Sequence, residues 1–356
     1  MSIELIFFIS FIVIITGLLL LDLGVFDKEN HIVSFKSALL YTFLWITLSL
    51  GFYILLIFHG DWIHLGPDGS LEELKSIVIR YEHPINIEGL NYQSALKIYE
   101  KNLALEFLTG YVIEWMLSLD NIFVMVVIFF AFKVNPLYYR RVLFYGILAA
   151  VVFRFLFIFS ASALISKFHW ILYIFGILLI FTGIKMFFEK EKTKIDTKNH
   201  PVVRFASKYL PVYPSFVREH FFVRKAGKLM ITPLFITLMV IEFSDVVFAV
   251  DSIPAIFAVT KDPYIIFFSN VFAILGLRSM FFVLVRVITI FRFLKTGLAF
   301  LMTFIGFKMM FSDWLKDIGF TTAHSLYVIL TIMVLSITLS LLIPEKKEGN
   351  RVEPLE

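Results

Sequence analysis

The sequence predicts an all-α membrane protein of about nine transmembrane helices, six of them forming a three-plus-three inverted-topology repeat. Three observations carry that fold class. Hydrophobic residues make up 59% of the 356 residues, with a mean hydropathy of +0.87, beyond what a soluble domain uses. Nine stretches approach the roughly 20 mostly apolar residues that a helix needs to cross the hydrocarbon. Lys and Arg are abundant in every second loop and scarce in the loops between. Strands are a poor alternative, because an open sheet leaves backbone groups unpaired in lipid and the alternation of barrel strands is absent.

The elements follow in chain order. The stretch 3–22 carries Glu4 where a signal peptide has basic residues, and it runs too long for one, so it reads as a retained span. With 37–58 it forms an N-terminal pair over 1–58. Residues 59–103 form an acidic extracytoplasmic loop (Asp61, Asp68, Glu72, Glu73, Glu82, Glu88) with room for a short helix. Spans 105–132, 142–163 and 169–188 make a first three-helix unit over 104–188. Residues 189–229 are basic, and Pro201, Pro211 and Pro214 break any long helix, so this is a connector at the cytoplasmic surface. Spans 230–257, 264–286 and 296–313 make a second unit over 230–313. The last span, 323–343, and a tail occupy 314–356.

Orientation follows from the loop charges. The odd loops and the C-terminal tail hold 21 Lys and Arg, counting Arg286 at a span boundary, and the even loops hold 7. Basic residues accumulate on the cytoplasmic side. The N-terminus is therefore expected outside and the C-terminus inside.

The repeat is visible in the residues. Glu114-WMLSL-Asp120-Asn121-Ile122 on the third span matches Asp245-VVFAV-Asp251-Ser252-Ile253 on the sixth. On the next spans, GILAAVVFR ending at Arg154 matches NVFAILGLR ending at Arg278, and then Gly183-IKMFF matches Gly306-FKMMF, with Lys185 against Lys308. Three matches in one order on consecutive spans define a repeat. A unit with an odd number of helices must invert in the membrane, as in many secondary transporters, whose sites lie near the midplane where the copies meet.

Five acids fall inside spans: Glu114, Asp120, Glu242, Asp245 and Asp251. Each costs at least ~2.5 kcal/mol at the bilayer centre on insertion scales, which marks functional sites by default. Glu242 and Asp245 are three apart and share a helix face. Glu114 and Asp120, like Asp245 and Asp251, are six apart and differ by roughly 240° on a straight helix. Either the members of each pair face different neighbours or the helix unwinds between them; Pro254 favours a break just after Asp251. Arg154 and Arg278 near span centres can neutralise only part of this charge, while Lys185 and Lys308 sit near helix ends where they can snorkel. The pattern predicts a cation site from carboxylates with Asn121, supported by Ser118, Ser244, Ser252, Arg154 and Arg278, with Asp22 as a gate residue. All these donors are oxygen, and no histidine lies among the acids, which suits Mg²⁺, Ca²⁺ and Mn²⁺ over zinc or copper. Met116 and Met239 are close enough in sequence to soften the site, though packing explains them.

Other classes are excluded on composition. With no cysteine there is no disulfide framework, thiolate site or cysteine nucleophile. No phosphate loop, zinc-finger spacing or basic stripe points to nucleic acid. An intramembrane aspartyl protease using Asp120 and Asp251 fails, because three more acids and two arginines would spoil a dyad that shares one proton; no enzyme is expected.

GYVIEWMLSLDNIFV, RVLFYGILAAVVFR, TPLFITLMVIEFSDVVFAVDSIPAIFAVTKDPY and SNVFAILGLRSMFF, with LDLGVF and YIFGILLIFTGIKM, resemble the TerC family of bacterial integral membrane proteins over roughly residues 15–312. The resemblance implies the inverted repeat of LysE-type transporters, a bacterial cytoplasmic-membrane location, and metal sites at Glu114, Asp120, Glu242, Asp245 and Asp251. It also implies manganese efflux, as in some members, or assistance with metallation of exported proteins, as in others. The latter role would use protein partners at the 59–103 and 189–229 loops. The family name comes from tellurite resistance, but an acidic pocket repels that anion. Expected partners are the lipid bilayer and a transported divalent cation; no bound cofactor is expected.

Overall fold

The computed structural model describes residues 3–22, 34–65, 69–188, 200–225, 227–287 and 293–343. Each apolar stretch read from the sequence is helical: α1 (Ile3–Asp22), α2 (Phe35–His59), α4 (Tyr92–Ala131), α5 (Tyr139–Lys167), α6 (Ile171–Phe188), α8 (Pro233–Phe257), α9 (Pro263–Val287), α10 (Leu294–Met310) and α12 (Thr322–Leu342). Among the described residues, seven helices are long and apolar enough to cross a membrane. The apolar part of α1, Ile3–Leu19, and the 17-residue α10 are shorter. The protein is a multi-pass, all-α membrane protein.

The connectors hold more structure than one short helix. After a 3₁₀ turn at Gly60–Ile63 come α3 (Leu71–Arg80) and then the early start of α4. Ser70 and Asn91 cap these two helices by accepting from the amides of Glu73 and Ser94. In the basic connector, residues 189–199 lie outside the described residues. Pro201 opens α7 (Pro201–Tyr209) at a position where its missing N–H costs nothing. An antiparallel hairpin follows, β1 (Phe222–Lys225) and β2 (Lys228–Ile231), turning through Gly227 at φ +75°. The short α11 (Ser312–Asp317) joins α10 to α12.

α4 and α9 are the most enclosed of the long helices. α4 packs on α2, α8, α9 and α12, and α9 packs also on α2 and α5. An aromatic cluster ties α1, α2, α4 and α9 together: Phe11 lies 4.3 Å from Phe268 between centroids, and Phe52 lies 4.9 Å from Phe107 and 5.1 Å from Phe272. The outer helices turn Leu40, Phe43, Phe58, Phe181 and Leu342 outward. A surface this apolar is stable against lipid, not water.

α6 and α10 cross at van der Waals contact between backbones. A Cβ on Gly306 would stand 2.7 Å from the Gly176 carbonyl, and one on Gly176 would stand 3.1 Å from the Gly306 carbonyl. A Cβ on Gly183 would stand 2.8 Å from the Ala299 carbonyl. The alignment that pairs Gly183 with Gly306 also pairs Gly176 with Ala299. The contacts are thus reciprocal, as a two-fold relation between copies produces.

Candidate functional site

The polar residues of the long helices fall on matching faces. On α4, Glu114, Ser118 and Asn121 follow one another at i, i+4 and i+7; on α8, Glu242, Asp245 and Ser252, at i, i+3 and i+10, also share one stripe. Both stripes turn away from lipid. Glu114, Ser118, Asn121, Asp245 and Ser252 are buried, as are Arg154 of α5 and Asn270 of α9.

Arg154 stands at the centre. Its guanidinium pairs with Glu114 and donates from Nη1 to Asn270 Oδ1 and, at 3.1 Å, to Ser252 Oγ. Nη2 lies 3.9 Å from Asp245 Oδ1. Asn121 Nδ2 donates to that same oxygen at 2.6 Å, and Ser118 donates to Glu114 Oε1 at 3.4 Å. The arrangement echoes the sequence alignment: Asn121 bonds Asp245, while Ser252, its counterpart, accepts from Arg154, which pairs with Glu114, the counterpart of Asp245.

Beside this cluster lies a cavity of about 20 Å³, walled by Glu242, Asp245 and Arg278 and closed by apolar residues such as Ile147 and Ile274. That is room for about one water-sized species. Gly146 forms part of its wall, and a Cβ there would meet Glu242 Oε1 at 3.0 Å. Four buried oxygens in this region, Glu114 Oε2, Asn121 Oδ1, Glu242 Oε2 and Asp245 Oδ2, have no hydrogen-bond partner among the described residues. Buried oxygens left unpaired are costly, and a ligand that supplies positive charge or a proton removes that cost.

The five acids do not form one shared cluster. Both α4 and α8 are continuous through their acid pairs, and α8 runs past Pro254 to Phe257. The expected break is absent, and on α8 the two members of the pair face different neighbours, Asp245 toward Asn121 and Asp251 toward Thr182. Asp251 accepts from Thr182 of α6 at 3.4 Å, within electrostatic reach of Lys185. Asp120 is half-buried on α4. Ser244 donates to the Val240 carbonyl of its own helix. Met116 packs toward Gly297 of α10, and Met239 against the small core under α7. The side chain of Asp22, at the end of α1, lies outside the described residues. Among the described residues, no three acids or histidines converge as a metal site does; Arg154 stands where a cation between Glu114 and Asp245 would.

Sequence reasoning missed Asn270, whose signal was an amide opening the NVFAILGLR match. It also missed a polar network at the end of the bundle that carries the 59–103 segment. There His64 Nδ1 lies 2.9 Å from Glu4 Oε1 and its Nε2 lies 2.8 Å from Asp262 Oδ2. His83 Nδ1 lies 3.0 Å from Glu106 Oε1, and Thr260 donates to Glu106 Oε2 at 2.6 Å. Burial alone would lower the His64 pKa, but the charge and hydrogen bond of Asp262 and those of Glu4 outweigh it and push it up to about 9. Burial would raise Asp262, and His64 holds it below the usual carboxylate range instead.

The family model described as integral membrane protein TerC family matches residues 99–348. A protein of Escherichia coli named putative membrane-bound redox modulator Alx is 41% identical over 346 residues, 97% of each chain. The uncharacterized membrane protein STKORF319 of Myxococcus xanthus is 41% identical over 307 residues, 86% of this chain and 84% of its own. An uncharacterized membrane protein of Rickettsia bellii is 39% identical over 336 residues, 94% of this chain and 96% of its own. No solved structure matches the chain. A family model spanning most of the chain, with relatives alike over nearly their whole length, means that the chain belongs to the TerC family of integral membrane proteins.

Proposed function

We propose that this protein transports a divalent cation, with Mn²⁺ the first candidate, outward across the bacterial cytoplasmic membrane. Two inverted three-helix repeats, α4–α6 and α8–α10, alternate access to a site at Glu114, Asn121, Asp245, Ser252 and Glu242. The observation that supports this reading best is the set of unpaired buried carboxylate and amide oxygens beside a cavity of about 20 Å³. Carboxylate, amide and hydroxyl oxygens suit a hard divalent ion. Arg154 acts as the stand-in charge of the empty state: it holds Glu114 and approaches Asp245, and an arriving cation displaces it. Asp120 and Asp251, six residues further along, serve as steps on the path.

A second reading follows from the printed name of the Escherichia coli relative, a redox modulator. These 356 residues contain no cysteine, so thiol chemistry is not available to them. A redox effect would have to pass through a metal or a partner protein docked on the 59–103 or 189–229 segment.

Purified protein in liposomes loaded with a metal-sensitive dye tests the first reading. The intact chain should carry Mn²⁺, and Glu114→Gln and Asp245→Asn should each abolish flux while remaining in the membrane. In a bacterium lacking its own manganese exporters, only the intact chain should lower cell manganese. If both variants, present at normal levels, move Mn²⁺ at the parent rate, the carboxylates do not carry the function and the partner reading becomes the better one.

A further inference from the structure

The polar network at the end of the bundle that carries the 59–103 segment takes no part in the site described above, yet it is built with equal care. His64 links three separate pieces of chain: Glu4 in the first turn of α1, the turn after α2, and Asp262 before α9. Its ring is fully buried and lies against Tyr81 and Tyr264, at 4.9 and 5.4 Å between centroids. Asp262 also accepts from the Tyr264 amide at 2.9 Å, which starts α9. Behind it, Thr260 receives the Asp262 amide and donates to Glu106 of α4, which is held in turn by Asn102 and His83. His83 packs beside Tyr99, and Arg80 lies 3.8 Å from Glu4. Three carboxylates, Glu4, Asp262 and Glu106, thus face Arg80 and two imidazoles. The charges balance only when both His64 and His83 are protonated.

The same two helices carry this network and the candidate site. Glu106 and Glu114 are eight residues apart on α4, and Asp262 and Asn270 are eight apart across the start of α9. Eight residues of helix span about 12 Å. The wall between them is Gly110 of α4 against Ser269 of α9: a Cβ on Gly110 would stand 2.8 Å from Ser269 Oγ.

We propose that His64, with His83 behind it, is a proton-binding latch that closes this end of the bundle over the candidate site. Bound protons hold α1, α4 and the start of α9 together through Glu4, Asp262 and Glu106. Loss of the His64 proton leaves two carboxylates sharing one neutral ring, which can donate to only one of them, and the latch opens. In a transporter this makes release at that face respond to the pH there; that consequence rests on the transport reading, whereas proton binding itself does not. The direction agrees with electrostatics. Burial would lower both histidines, but the adjacent carboxylates win and both pKa values are raised, that of His64 to about 9. A raised folded pKa means the stabilisation is whole below the ordinary histidine value near 6.5 and is lost as pH rises through about 9.

The chain has no cysteine, so a single Ser269→Cys in metal-free protein reports on the wall beneath the latch. Its rate with a membrane-impermeant thiosulfonate is compared with that of an exposed reference, Glu88→Cys, which corrects for thiol ionisation. The ratio should be low at pH 7 and rise about tenfold by pH 10, which corresponds to ~1.4 kcal/mol of opening. In a His64→Gln background it should be raised already at pH 7 and rise clearly less than tenfold by pH 10, His83 alone remaining to titrate. Thermal melting of the cysteine-free chain gives a second reading: Tm should fall between pH 6.5 and 10, and His64→Gln should flatten that fall. A labelling ratio that stays constant from pH 7 to 10, or a pH profile of melting unchanged by His64→Gln, overturns the latch. Neither measurement involves Mn²⁺, so failure of the latch is distinct from failure of transport.

Discussion

Arg154 serves several buried polar groups at once. It is buried, it pairs with Glu114, it approaches Asp245, and it serves Ser252 and Asn270 with one guanidinium nitrogen. Removing one partner of a buried ion pair leaves the other charge uncompensated, at about 3–5 kcal/mol. Arg154→Ala should therefore melt well below the parent in metal-free detergent solution. Arg154→Lys should recover only part of the loss, because an ammonium lacks the planar fork that reaches several acceptors at once. If Arg154 substitutes for a transported cation, millimolar Mn²⁺ should raise the Tm of Arg154→Ala more than that of the parent, since a ligand that binds only the folded state stabilises it. An equal Mn²⁺ shift in the two proteins would separate Arg154 from the cation. At this scale the sequence disclosed which residues are costly, because a carboxylate inside an apolar run is visible as a letter. It did not disclose which acids meet. A six-residue spacing rotates a side chain by roughly 240°, and only the packing of α6 against α8 turns Asp251 toward Thr182 instead of toward Arg154.

The helices themselves were legible because lipid enforces a length and a polarity that hydropathy reads directly. Hydropathy saw less where a helix leaves the apolar layer. α4 begins at Tyr92, in a segment with Lys97, Glu100 and Lys101 that is helical by its Asn91 cap and its composition but is not apolar. Pro254 favours a break just after Asp251, yet α8 runs on to Phe257, three residues past the proline; the proline removes one i→i−4 hydrogen bond, and less than one turn of helix follows it. The histidine network was not legible: His64 and Asp262 are 198 residues apart, and loop residues reveal no partners by spacing. The α6–α10 crossing yields a sharp element-scale prediction. At Gly306 an added Cβ meets the Gly176 carbonyl and the Ile180 backbone within 3 Å, so Gly306→Ala should destabilise by about 1–3 kcal/mol. Gly51 is also in a helix, exposed on α2, with nothing within 4 Å of its Cβ position. There the same substitution should be neutral or stabilising by up to ~1 kcal/mol. Melting of the two variants side by side separates a contact effect from a helix-propensity effect. If Gly306→Ala matched Gly51→Ala, the two helices would not depend on that contact.

At the scale of the whole molecule, an inverted repeat is a claim about sidedness. The matched motifs Glu114–Asn121 and Asp245–Ser252 sit on helices, α4 and α8, that run in opposite directions only if the chain crosses the membrane an even number of times between them, here through α5 and α6. The reciprocal Gly176–Gly306 and Gly183–Ala299 contacts fit that relation, as do the placements of Asn121 on Asp245 and of Ser252 on the Arg154 that pairs with Glu114. The expected sidedness rests on the loops: the odd loops and the tail hold 21 Lys and Arg, and the even loops hold 7. The 59–103 segment and the 189–229 segment should then face opposite compartments, the first outside and the second inside. Enzymatic reporters fused after Asp68 and after Lys198 test this in intact cells. A reporter active only in the cytoplasm should work at Lys198 and be silent at Asp68, and one active only outside should do the reverse. The outcome bears on more than orientation, because α4, α5 and α6 lie between the two fusion points. Three crossings put those points on opposite sides; two or four put them on the same side. Reporters that agreed would therefore remove one crossing from the first three-helix unit, and alternating access between inverted copies would go with it.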